Sequence, residues 1–342
     1  MFDKKTIRDV DVAGKNILVR VDYNVPLKDS VVTDDLRIRA SLPTIQYLLE
    51  HGARKVFLIS HLGRPEGKVD EKLSLKPAAE QLQQLLGRPV AFVDTDGEEK
   101  VVLLENLRFS PQEEANDPDF AQKLVDLTGA ELFVQDGFGV VHRAHASTSA
   151  ITQLLPSVAG LLLEKEVENI KQAVENPTRP LLFILGGAKV DDKMPLVNRF
   201  RKLADVIAVG GKIASTYQKT SAKEVLPVDF VHGEDGKAYD IGEKSAAKIV
   251  ELVEQARTII WNGTLGMTED PRFAKSSEKV AAAIGTSDAF SIIGGGDTAG
   301  FVLEYQKLHP ELHYSLISTG GGAALELMAG DELPGVAALA DA

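Results

Sequence analysis

The feature that most limits how this chain can fold is a recurring succession of short apolar runs and amphipathic segments. NILVRVD (16–22), KVFLIS (55–60), VVLLEN (101–106) and ELFVQD (131–136) are rich in Val, Leu, Ile and Phe and lack clean polar alternation. Runs of that length and kind fit strands covered on both faces. Between them, SLKPAAEQLQQLLG (74–87) opens on a serine, spaces its apolar residues by three and four, and closes on a glycine, which is the punctuation of a helix. A strand–helix succession of this kind calls for a parallel sheet.

The second half repeats the scheme with PLLFILGG (180–187), VIAVGG (206–211), TIIWNG (258–263), AFSIIGGGD (289–297) and HYSLIST (313–319). Between the halves, residues 157–180 read as one long amphipathic helix closed by Asn-Pro and Arg-Pro. A chain of 342 residues that is 44% hydrophobic has material for two domains at about 100–200 residues each. The expected fold is therefore α/β: two doubly wound, Rossmann-like parallel-sheet domains joined by a hinge helix.

Composition narrows the function. Zero cysteines exclude disulfides, thiolate metal sites and cysteine nucleophiles, and fit a reducing compartment. A net charge of −12 argues against nucleic acid as a partner, since a phosphate backbone is bound through a basic surface. No apolar run is long enough to cross a bilayer, and MFDKKTIRDV lacks the apolar core of a signal peptide, so no membrane partner is expected and the location is read as cytoplasmic.

Ligands of open parallel sheets bind beyond the carboxyl ends of the strands. In the first half those ends carry Asp22, Asn24, His61, Arg64, Arg108, His142 and Arg143, with Arg37 after a short loop. Arginines gathered at one edge of an acidic protein suit a compact polyanion, because guanidinium forks match carboxylate and phosphate geometry. Each taken singly could be a surface ion pair. In the second half the strands end in GGAK, VGGK, WNGTLG, GGGDT and STGGGA, and exposed amides at helix N-termini bind phosphate. Asp297 in GGGDT is the candidate magnesium ligand, or else the cap of the helix that follows. Lys189 and Lys193 in FILGGAKVDDKMP stand one helical turn apart, able to reach one triphosphate. The run does not fit the G-x-x-x-x-G-K-[ST] pattern, and no G-x-G-x-x-G follows the first strand, as a nicotinamide-dependent dehydrogenase would require.

Taken in order, RVDYNVPL, HLGRP, LLENLRF, HRAHAST, LGGAKVDDK, DIGEKS, WNGTLGMTE, GGGDTA and STGGGAALELMAGDELPGVAAL resemble the phosphoglycerate kinase family over nearly the whole chain. The resemblance implies transfer of phosphate between 1,3-bisphosphoglycerate and ADP, giving 3-phosphoglycerate and ATP with Mg2+, in a two-lobed enzyme acting as a monomer. It implies a phosphoglycerate domain at 1–156, a hinge helix at 157–178, a nucleotide domain at 179–319, and a segment 320–342 returning to the first domain. Substrate contacts carried over are Asp22, Tyr23, Asn24, Arg37, His61, Leu62, Gly63, Arg64, Arg108 and Arg143. Nucleotide contacts are Gly187, Lys193, Gly211, Asn262, Glu269 near the ribose, and Gly295, Gly296, Asp297 and Thr298 at the phosphates and magnesium. Arg37 and Lys189 flank the transferred phosphoryl group as catalytic cations, with Gly320 and Gly321 supplying amides beside it.

The chain departs from the family pattern in Gly137, Val141, Lys212 and Thr264, and is shortened before VVLLEN and before LPVDF. The competing expectation is a catalytically reduced homologue that keeps the nucleotide domain. Arg37, Lys189, Lys193 and Asp297 all remain, which favours the active kinase.

Overall fold

The computed structural model describes residues 2–188 and 193–342. The chain forms two compact units, Phe2–Val167 with Glu332–Ala342, and Glu168–Asp331, and the division falls within the helix Leu161–Glu175.

The first unit is built on a six-stranded sheet in the order Ala91–Phe92, Val101–Leu103, Lys55–Ile59, Asn16–Arg20, Leu132–Gln135, Ser157–Ala159. Every neighbouring pair is parallel. Successive side chains of a strand point to opposite faces. Ile17, Val19, Val56 and Leu58 therefore pack on one side with Ile38, Ile45 and Leu48 of the helix Leu36–Glu50 and Leu82 of the helix Lys76–Leu86. Leu18, Phe57, Ile59 and Phe133 pack on the other with Ala121 and Leu124 of the helix Pro118–Thr128. Both faces are covered, which is why these strands show no polar alternation in sequence.

The second unit has a parallel sheet in the order Glu224–Val225, Val206–Val209, Leu181–Leu185, Thr258–Asn262, Phe290–Gly294, Leu316–Ile317. In chain order this is 3-2-1-4-5-6, the order in which strand direction of growth reverses between the first and fourth strands. Leu182, Ile184, Ile259 and Trp261 face the helices Glu243–Gln255 and Lys275–Thr286. On the other face Phe183 stacks on Phe200 of the helix Met194–Leu203, with ring centroids 4.2 Å apart.

The chain between the sheets begins differently from the expectation of one helix from residue 157. Ser157–Ala159 is instead the last strand of the first sheet, and the helix runs Leu161–Glu175. Gly160 separates them under the Asp136 carboxylate, which would lie 2.1 Å from any Cβ at that position. That carboxylate accepts from the amides of Leu162 and Leu163, capping the helix.

Candidate functional site

In the first unit the strand-end loops are tied to one another through the residues singled out from sequence. Asn24 Oδ1 accepts from the Gly63 amide at 2.9 Å, and Arg108 Nη1 donates to the Gly63 carbonyl at 2.9 Å. Three consecutive strand ends are thus joined around Gly63, whose φ of 62° is left-handed. Arg37, in the first turn of its helix, pairs through Nη1 with Asp22 Oδ2 at 2.5 Å. Arg108 is only 6% exposed and lies 3.1 Å from Glu114 Oε1 through Nε. Arg64 and Arg143 stand in solvent; Arg64 has no partner among the described residues, and Arg143 donates to His142 Nε2 at 3.1 Å. Tyr23 and Leu62 turn inward: Tyr23 is fully buried, its hydroxyl bonded to Ser41 at 2.8 Å, its amide donating to Ser60 Oγ at 2.8 Å and its carbonyl accepting from the Val25 amide, so it presents no group to a ligand in this structure.

The histidines of this edge are held neutral. Burial, then the positive charges of Arg20, Arg108 and Arg37, push the His61 pKa well below the usual histidine value. Burial, then the positive charges of Arg20, Arg108 and Arg143, holds His145 at about 4. Burial and Arg143 also lower His142. These rings can donate one hydrogen bond to an anion without taking a proton.

In the second unit the ends of the strands Leu181–Leu185 and Thr258–Asn262 meet Lys193. Its Nζ donates to the Gly186 carbonyl at 2.9 Å and the Asn262 carbonyl at 3.4 Å. Burial lowers its pKa to about 8, against the raising influence of Asp297. The close approach demands glycine: a Cβ on Gly263 (φ 93°) would lie 2.1 Å from the Gly186 oxygen and 2.5 Å from Lys193 Nζ. Gly187 donates to the Thr264 carbonyl at 2.8 Å, and a Cβ on Gly211 would sit 2.6 Å from the Gly187 nitrogen. The Thr298 hydroxyl accepts from the Gly263 amide at 2.8 Å. Asn262 is buried with both side-chain polar atoms unpartnered, beside Gly295.

Gly187, Lys193, Gly211, Asn262, Gly295 and Thr298 are thus gathered at adjoining strand ends, and Gly296 and Asp297 follow in the first turn of the helix Gly296–Leu308. Glu269 lies in an exposed turn with no partner among the described residues. Gly320 is buried, its amide donating to Ser318 Oγ at 3.1 Å, and Gly321 (φ 49°) precedes the helix Gly322–Ala329. Lys189 lies outside the described residues, as does its spacing from Lys193; Lys193 itself immediately precedes the helix Met194–Leu203.

The sequence model of phosphoglycerate kinase matches residues 7–227 and 219–331. The chain belongs to the phosphoglycerate kinase family. A phosphoglycerate kinase of Dictyoglomus turgidum is 44% identical over 400 aligned residues, covering 99% of each chain. The structure of the phosphoglycerate kinase of Coxiella burnetii matches with a TM-score of 0.82 at 33% identity, over 98% of both chains. The crystal structure of the enzyme from Pyrococcus horikoshii OT3 gives 0.85 at 30% identity, over 99% of this chain and 98% of that one. The family match overlaps itself at residues 219–227, next to the shortening before LPVDF.

Against this family background, sequence reasoning passed over Arg20, Glu113 and His145. Arg20 follows the apolar run of Ile17, Leu18 and Val19 and is fully buried, and Glu113 is fully buried, bonded to the Ser147 amide and hydroxyl. The signals were a cation closing NILVR and the second histidine of HRAH. Thr264, where phosphoglycerate kinases commonly have proline, is used through its carbonyl, which proline would also supply.

Magnesium fits the donor set in one way. Among the described residues there is no cluster of three metal-ligating side chains, which excludes an all-protein cage there. Asp297 is exposed, with its carboxylate neither hydrogen-bonded nor ion-paired among the described residues. One free carboxylate beside a glycine-lined strand edge matches a magnesium ion that keeps most of its ligands from phosphate and water.

Proposed function

We infer that the protein catalyses reversible phosphoryl transfer between 1,3-bisphosphoglycerate and ADP, giving 3-phosphoglycerate and ATP. The observation that carries this reading is the match to phosphoglycerate kinases along nearly the whole chain. The unit Phe2–Val167 holds the phosphoglycerate through Asp22, Asn24, Arg37, Arg64, Arg108 and Arg143, with His61 as a neutral donor and the backbone of Leu62 and Gly63 beside it. The unit Glu168–Asp331 holds the nucleotide through Lys193, the glycine turns at Gly187, Gly211 and Gly295–Gly296, Asn262 and Thr298, with Glu269 toward the ribose.

The chemistry asks little beyond positioning. The acceptor in the ATP-consuming direction is a carboxylate, ionised at neutral pH because its pKa is about 4, so no general base is needed. Histidines whose pKa values are lowered, such as His61 and His145, suit a site that moves no proton. What the chain must do is align two anions and neutralise charge spread over the equatorial oxygens of the transferring group. Arg37 and Lys189 take that role, with amides at Gly320 and Gly321. Magnesium, held by Asp297 and the nucleotide, supplies charge neutralisation on the phosphate oxygens.

The net charge of −12 supports small anionic substrates over nucleic acid, and no described helix is long and apolar enough to cross a membrane. The protein acts as a monomer in the cytoplasm, a reading that size-exclusion chromatography with light scattering tests for the oligomeric state. Phosphorus NMR of a mixture of ATP, 3-phosphoglycerate, magnesium and protein tests the reaction directly. With hydroxylamine added to trap the acyl phosphate, whose formation from ATP is uphill, ADP and the hydroxamate are expected to accumulate; unchanged ATP in a sample that binds it would overturn the reading in favour of a catalytically reduced homologue.

A further inference from the structure

We infer that Arg20 is a positioning residue: its guanidinium holds the His61 ring as the Nε2–H tautomer, so that His61 meets an anionic substrate as a neutral hydrogen-bond donor. The inference rests on the reading that His61 faces the phosphoglycerate.

Arg20 Nη2 lies 3.0 Å from His61 Nδ1, and both residues are buried. A guanidinium has only donors. Hydrogen bonding to it therefore requires an unprotonated lone pair on Nδ1, which puts the single ring proton of neutral histidine on Nε2. His61 Nε2 has no hydrogen bond among the described residues and is not among the enclosed polar atoms, so it keeps access to solvent. The proton thus points where a ligand can accept it.

The cost of Arg20 argues that it is there for this bond. It follows Ile17, Leu18 and Val19 in an interior strand, is 0% exposed, and leaves Nε and Nη1 without partners. Among the described residues no carboxylate lies within ion-pairing distance of it; Glu113 and Asp22 act on it only through space. A buried cation without a paired anion is expensive, and an apolar residue would complete the strand at lower cost. The groups facing His61 are Arg20, Arg108, Arg37 and His145, so a second ring proton would be repelled from several sides. Burial, before any of these charges, keeps the ring to a single proton, and Arg20 sets which nitrogen carries it.

Long-range proton–nitrogen NMR of the 15N-labelled protein reads the tautomer without any activity, with His61 assigned by the signal lost in His61→Gln. Nδ1 should resonate as an unprotonated ring nitrogen and Nε2 as a protonated one, unchanged from pH about 5.5 to about 8, a window spanning the ordinary histidine pKa of about 6.5. A protonated Nδ1 in the wild-type protein overturns the inference. Kinetics give a second arm, because the glutamine of His61→Gln offers an amide donor near the Nε2 position whatever Arg20 does. Arg20→Gln should raise the KM for 3-phosphoglycerate by about tenfold or more in the wild-type background, the cost of one charge-assisted hydrogen bond. It should leave the KM for ATP in place, and should add little in the His61→Gln background. An equal loss in both backgrounds would make Arg20 merely structural and overturn the inference. Should the wild-type protein show no turnover at all, the functional reading falls, while the NMR result still decides the tautomer.

Discussion

Lys193 Nζ bonds the carbonyls of Gly186 at 2.9 Å and Asn262 at 3.4 Å, at the ends of the two neighbouring strands between which the second sheet reverses its direction of growth. A lysine whose hydrogen bonds among the described residues go only to carbonyl oxygens is a charge prepared for an anion. Burial sets its pKa at about 8, and a bound phosphate would raise it again. Nucleotide binding should therefore take up a proton above pH 8, and affinity should fall as pH rises through that value, by up to about tenfold per unit. Calorimetric titration across this range checks it, and Lys193→Met should lose the slope together with about tenfold or more in affinity. For the unliganded protein the sign is opposite. Folding lowers this pKa from 10.5 to about 8, so the unfolded chain binds more protons between those values and stability rises with pH there.

Asp297 sits in the first turn of the helix Gly296–Leu308, exposed and without a partner among the described residues. Asp297→Asn keeps its shape and removes its charge. Thermal unfolding should change by no more than about 1 kcal/mol, the scale of a carboxylate at a helix N-terminus. The magnesium concentration needed for half-maximal turnover should rise several-fold. A large loss of stability with unchanged magnesium dependence would make the residue a cap and not a ligand.

His145 gives the acid limit a specific cause. Its pKa falls from 6.5 unfolded to about 4 folded, chiefly through burial. The unfolded state therefore binds more protons between these values, and this contribution to stability is lost as pH falls from about 6.5 toward 4. Asp136 acts the other way: burial raises its pKa from 3.8 to about 7, so its contribution weakens as pH rises across that range. The difference between wild type and His145→Gln isolates the histidine. Melting temperatures measured from pH 7 down to 4 should drop less in the variant; parallel curves would contradict the assignment.

How much of this was legible in the sequence depends on where each residue lies in the sheets. Interior strands such as Lys55–Ile59 and Thr258–Asn262 announce themselves, because both faces are buried and their central positions are a continuous apolar run. The short strands Ala91–Phe92, Ser157–Ala159 and Glu224–Val225 do not, since two or three residues leave no pattern. The glycine turns were readable as a group because close approach of backbone to backbone, as at Gly263 and Gly186, permits no side chain. Tyr23 and Thr298 show the limit: a motif names the residue but not which way it turns, and the structure spends one hydroxyl on Ser41 and the other on the Gly263 amide. Arg20 was illegible for a different reason. Its partner is 41 residues away, on the neighbouring strand end, and only the register of the sheet brings them together.

Arg37 pairs with Asp22 and is the cation of the first unit assigned to the transferring phosphoryl group. The most direct test of the account is the rate of ADP formation from magnesium-ATP, with and without 3-phosphoglycerate, for the wild-type protein and for Arg37→Ala. The wild-type rate should depend on 3-phosphoglycerate, and the variant should fall by about a thousandfold, by analogy with other arginines on a transferring phosphoryl group, while still binding ATP as tightly. Wild-type protein that binds ATP yet forms no ADP when 3-phosphoglycerate is added would contradict it.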